Sequence, residues 1–185
     1  MKSADLFLDT AFVFIVTANI LAFALLFSTM DVAHSAEASS PLAGHWRMAE
    51  TEDEKKQRLQ AIDEATERMG RFRRGKARSR LSERTAPRDF ILIEVEGSKV
   101  TIGSEDRQLE LELGGPPIEV SGNDGKAQLS ARMEGERLIV EARSGNGGRT
   151  TEYRAAEGLL SMEVAMKGER LAGPLEYVTT YVPAD

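Results

Sequence analysis

The stretch Ala127–Arg143, AQLSARMEGERLIVEAR, decides the fold. Leu129, Ala131 and Met133 alternate with Ser130, Arg132 and Glu134. After the break at Glu134-Gly135-Glu136, Leu138 and Val140 take one face, and Arg137, Glu141 and Arg143 break up the other. A period of two puts apolar side chains on one side of a pleated strand and charged ones on the other. A glycine-containing break between two such runs reads as a hairpin. The same unit recurs from Phe90 to the C-terminus. Strands are expected at 90–96, 99–103, 107–113, 118–121, 127–133, 137–143, 150–155, 159–166 and 175–182. The breaks between them carry turn residues, among them Gly114-Gly115-Pro116-Pro117, Asn123-Asp124-Gly125 and Gly145-Asn146-Gly147-Gly148.

One apolar and one charged face per strand is the pattern of antiparallel strands around a single core. Many short strands with hairpin-length breaks imply a sandwich or a barrel. With a further strand at Gly44–Ala49, a closed up-and-down barrel is the economical solution, because closure removes exposed edges. The expected fold class is therefore mainly β, a single antiparallel barrel with one inserted α-helix.

That helix is expected at 51–69. Thr51 or Asp53 caps it, Glu52, Asp53 and Glu54 favour its first turn, and Gly70 fits the position just past its end. Leu59, Ile62, Thr66 and Met69 form a narrow apolar stripe, read as its docking face. From 70 to 88 the composition changes to a cationic block relieved only by Glu83. Such a block repels itself and reads as an exposed, flexible arm.

Residues 1–38 read as a targeting or anchoring segment, and 39–185 as the barrel domain. Ala11–Phe27 is free of charge, and Ala36-Glu37-Ala38 fits a small-x-small cleavage pattern. The apolar run is longer than a usual signal-peptide core and approaches a membrane span. A cleaved signal peptide and a retained anchor both place the domain outside the cytoplasm, periplasmic or tethered at the inner membrane. The chain of 185 residues has no cysteine, which excludes disulfides, thiol catalysis and thiolate metal sites.

The order Leu42-Ala43-Gly44-x-Trp46-Arg47, an acidic helix, a basic arm and a meander containing EGERLIVEA and RTTEY resembles a group of exported bacterial lipocalin-like small barrels. The resemblance spans about residues 41–182. It implies a calycin-type barrel, with Trp46 packed across its closed end, and an apolar ligand. A helical insert after the first strand also resembles, in topology alone, the fatty-acid-binding barrels, in which the insert covers the mouth.

No catalytic constellation emerges. His34 and His45 have no second ligand at a metal-binding spacing, and the paired Glu110 and Glu112 belong to a solvated face. No cofactor or metal is expected, and nucleic acid is not an expected partner of an exported chain. The leading expectation is a non-enzymatic protein holding a small apolar or amphipathic ligand. Trp46, Met133, Met162 and Met166 are its interior candidates, methionine being suited to adaptable pockets. The alternative is a structural or interaction protein of the cell envelope. It would use Arg71, Arg73, Arg74, Lys76, Arg78 and Arg80 to contact an anionic membrane surface or an acidic partner. Against the binding reading stands a barrel of about eight strands simply filled by its own side chains, and an enzymatic reading comes third, for want of a nucleophile–base pair.

Overall fold

The computed structural model describes residues 40–104, 107–122 and 125–184. The targeting or anchoring segment at 1–38 lies outside the described residues, as does the tip of the Asn123-Asp124-Gly125 turn.

Ten antiparallel strands form one sheet curled into a nearly closed up-and-down barrel. They are β1 (Gly44–Met48), β2 (Phe90–Glu96), β3 (Lys99–Ser104), β4 (Arg107–Glu112), β5 (Ile118–Gly122), β6 (Gly125–Glu134), β7 (Arg137–Ser144), β8 (Gly147–Ala156), β9 (Leu159–Gly168) and β10 (Leu175–Pro183). The β1–β10 pairing joins the two ends of the chain order. Alternation carries through the register. Leu138 stands opposite Met133 and Tyr153, and Val140 opposite Ala131 and Thr151, so one face of each strand builds the interior. Leu42, Ile93, Val100, Leu138, Leu160 and Trp46 are buried in this core. The Trp46 indole N–H donates to the Leu42 carbonyl at 3.0 Å.

Closure is incomplete. Among the described residues no ladder joins β4 to β5. Instead the Gly114 N–H donates to the Ala131 carbonyl of β6 at 2.8 Å, and Leu113 bridges to Ala131 in parallel. The residues between β4 and β5 include Pro116 and Pro117, which have no N–H to offer a ladder. The expected edge-free barrel therefore keeps a slot between these strands.

Two helices, not one, follow the first strand. Helix α1 (Glu52–Ala65) begins at a capping box, in which Thr51 accepts from the Glu54 N–H and Glu54 accepts from the Thr51 N–H. Its buried face is Arg58, Ile62 and Ala65, continued by Thr66 at the C-cap, so Ile62 and Thr66 of the expected stripe are buried while Arg58 takes the place expected of Leu59, which is exposed. The physical reason is Glu50. It accepts from the Arg58 Nε at 2.8 Å and from a terminal nitrogen at 3.0 Å, so a cation occupies a buried place satisfied by its own carboxylate. Further bonds fasten α1 to the open end of the barrel. Thr180 of β10 donates to the Glu54 carboxylate, and the Ala172 N–H, in the β9–β10 connection, donates to the Ala65 carbonyl.

Helix α2 (Arg71–Thr85) occupies most of the stretch expected to be a flexible arm. Leu81 and Thr85 are buried, Ala77 is half-buried, and Arg78 pairs with Asp63 of α1 at 2.6 Å. Arginine, lysine, alanine and leucine are good helix formers, and these anchors hold the helix despite its charge. Gly70, read as the end of the first helix, is the N-cap of the second and supplies no side-chain bond. Arg71, Arg73 and Arg74 stand in a first turn without an acid, each opposing the helix dipole at a cost of about 0.3–1 kcal/mol.

The Glu50–Arg58 pair is almost fully buried. Removing one partner strands the other's charge, which typically costs about 3–5 kcal/mol, whereas replacing both with apolar groups is often neutral. Glu50→Ala is expected to lower the melting temperature by roughly 6–20 °C. The double change Glu50→Ala with Arg58→Met is expected to recover most of that loss, read by thermal unfolding of both variants.

Candidate functional site

The strand directions fix two ends. The β2–β3, β6–β7 and β8–β9 turns lie at one end. The β3–β4, β7–β8 and β9–β10 turns, with both helices, lie at the other. The interior of the helical end is not filled. A cavity of about 340 Å³ remains there, near the lower limit of the ~300–1,000 Å³ usual for ligand pockets. Its apolar wall comes from Ile91, Ile102, Leu109, Leu129, Val140 and Met162. Arg84 at the end of α2 and the connection Ala86-Pro87-Arg88 border it on the helical side.

The polar residues of the cavity are cationic or hydroxylic. Arg149, Thr151 and Tyr153 follow one another at every second position of β8 and share its inward face. The Arg149 Nε–H donates to the Thr151 hydroxyl at 3.1 Å, which fixes the guanidinium beside the cavity. Arg88, Arg107 and Arg149 form no ion pair with a carboxylate among the described residues, and no Asp or Glu lines the cavity among them.

All three tyrosines of the chain, Tyr153, Tyr177 and Tyr181, are buried and line this space. Burial pushes each phenol above its ordinary range. The nearby Arg149 charge acts in the opposite direction on Tyr153 and Tyr177, and is the smaller effect. The Tyr181 hydroxyl lies near the Arg88 backbone amide without forming a proper hydrogen bond, so a fully buried O–H in the cavity wall has no partner. Unpaired buried polar groups are costly, about 1–3 kcal/mol each, and mark places where a ligand group can be received.

Of the four interior candidates from the sequence, Met162 alone lines the cavity. Trp46 is packed in the core, whereas Met133 and Met166 are half-buried against it. The six basic candidates all lie on α2, away from the cavity lining. Sequence reading missed Arg149 and the tyrosines. The signal was present, since the Arg149-x-Thr151-x-Tyr153 alternation places all three on one face. Starting that strand at 150 cut the arginine off. Among the described residues, no group of three or more His, Asp or Glu is placed to hold a metal. Glu110 faces outward and pairs with Lys99 at 3.0 Å.

A tyrosine whose pKa is raised on folding contributes nothing to pH dependence below the unfolded value of ~10. Above it the unfolded chain releases the proton first, so stability falls as pH rises. Absorbance at 295 nm is therefore expected to show no phenolate through pH ~10 in the native protein. All three tyrosines are expected to ionise together with alkaline unfolding. Separate ionisation of any of them near pH 10 in the folded state would contradict their burial.

The sequence matches no protein-family model and no curated protein. Among solved structures, the chain is similar to a secretory abundant heat soluble protein from Ramazzottius varieornatus, with a TM-score of 0.52 and 14% identity over 78% of this chain and 96% of that one. It is also similar, at a TM-score of 0.48, to Caenorhabditis elegans lipid binding protein 8 (13% identity; 78% and 96% covered). The zebrafish ileal bile acid-binding protein in complex with cholic acid gives the same score (15% identity; 78% and 100% covered). The first of these likenesses establishes the fold: this chain is a calycin-like ten-strand barrel with two helices inserted after its first strand.

Proposed function

We propose that this chain is a non-enzymatic binding protein whose barrel holds a small amphipathic molecule with an anionic head. The observation that carries the reading is the division of the cavity, apolar along its wall with only cations and hydroxyls among the polar groups of its described residues. The ligand's apolar body lies against Ile102, Leu109, Val140 and Met162. Its head meets Arg149, which Thr151 holds in place. Hydrogen bonds to charged groups contribute about 1.5–3 kcal/mol, twice the neutral value, so Arg149 separates anionic from neutral amphiphiles.

Displacement of the fluorophore anilinonaphthalene sulfonate tests this, with laurate and dodecanol as competitors of equal chain length. Laurate is expected to bind more tightly. Arg149→Gln is expected to weaken laurate about 10-fold or more and to change dodecanol less than about 2-fold. Ala142→Phe, which places a ring in the cavity, is expected to weaken both. Equal losses for both competitors in Arg149→Gln, or no effect of Ala142→Phe, would sink the reading.

We also propose that the domain works outside the cytoplasm, as in the exported lipocalin-like group it resembles. The support is the uncharged run Ala11–Phe27 and the Ala36-Glu37-Ala38 pattern behind it. A fusion of residues 1–45 to alkaline phosphatase is expected to be active in a bacterial host, and intact mass then distinguishes cleavage from a retained anchor. An inactive fusion expressed at normal levels would remove the support for export.

A further inference from the structure

Helix α2 has an outward face that no other element among the described residues covers. Phe72 is 97% exposed at its start. Arg73, Lys76 and Arg80 follow at three- and four-residue spacing and so share one flank. The buried face, around Leu81 and Thr85, is a different one.

Cations without an ion pair among the described residues occur on the barrel as well, Arg47, Arg154 and Lys167 being examples, but on α2 they stand close together. On the outer sheet, Arg132, Arg137 and Arg143 are matched to Glu134, Glu141 and Glu152, and Lys126 to Glu119. On α2, Arg71, Arg73, Lys76 and Arg80 form no ion pair or hydrogen bond through their side chains among the described residues. The first turn also sets cations against the positive pole of the helix, with no acid or side-chain cap to relieve it. An anionic surface relieves both conditions at once. A fully exposed phenylalanine among the cations is the feature that a bilayer interface satisfies and a purely polar polyanion does not.

We propose that α2 docks on an anionic lipid bilayer, with Phe72 entering the interface, Arg73, Lys76 and Arg80 contacting lipid phosphates, and Arg71, at the start of the helix, adding its charge. The proposal stands apart from the cavity reading, since it rests on the outward face alone. Cations of this kind act within about a Debye length and are screened by salt.

The test uses the full-length chain carrying Phe72→Trp, because the introduced indole reports its own depth whether or not residues 1–38 also attach the chain to the vesicle. Trp46 is buried and supplies a constant background. With phosphatidylglycerol vesicles at low salt, the introduced indole is expected to shift to the blue and to be quenched by brominated acyl chains. Its apparent partitioning is expected to fall about 10-fold or more in ~0.5 M salt, on phosphatidylcholine vesicles, or when the four cations become Gln. No shift with either lipid, or an equal shift in the Gln variant, would overturn the proposal. A shift produced by single-stranded DNA and not by vesicles would overturn it in favour of a nucleic-acid surface.

Discussion

A ring of about eight strands is just wide enough for its own side chains to fill, and this chain uses ten. The resulting surplus of interior space governs the rest of the molecule. At the closed end it is consumed by large residues such as Trp46, Leu138 and Leu160. At the helical end the inward positions shrink to Thr151 and Ala142, and backbone at Gly103 completes the wall, so space remains. That end then needs a cover, and the insertion between β1 and β2 provides it. The cover is held by specific bonds: the Glu50–Arg58 pair, Thr180 to Glu54, and the Ala172 amide to Ala65.

The two covering helices carry opposite charge. Helix α1 opens on Glu52, Asp53 and Glu54, in accord with its dipole, and buries a cation whose charge is answered locally. Helix α2 opens on arginines against its dipole and is held through its second half, by Leu81, Thr85 and the Arg78–Asp63 pair. Stability has not been maximised at its N-terminal turn. Conflicts between local electrostatics and the fold of this kind are expected where a surface meets something outside the chain.

Much of the fold was legible because alternation is a direct imprint of a half-buried strand. Leu109 and Leu111 against Glu110, or Met162 and Val164 against Glu163, leave little choice of face. Ile139 departs from this rule: it points outward from β7 yet is buried, lying between the cross-strand neighbours Arg132 and Glu152. Helix α2 was not legible from charge density, which reports self-repulsion and omits the contacts that offset it. The docking face of α1 was legible at Ile62 and Thr66 and missed at Leu59, for a related reason. Hydrophobic spacing selects Leu59, and cannot anticipate that Glu50, eight residues before Arg58, makes a cation the better buried neighbour.

The candidate site was only partly legible, and the cause is that methionine and arginine send opposite signals from composition. Four apolar side chains were credited with the interior, and three of them are used for packing away from the cavity. Arg149 carries more information, because a charge on the inward face of a strand departs from the pattern that built the fold. An apolar cavity gains nothing from a guanidinium, whose desolvation opposes folding unless it stays near water or meets an anion. Arg149 is half-buried, bonded by one nitrogen to Thr151, and faces no carboxylate among the described residues. Together with the unpaired Tyr181 hydroxyl, this argues against an interior selected only for self-packing: methyl and methylene groups in the same places would fill the space without either cost.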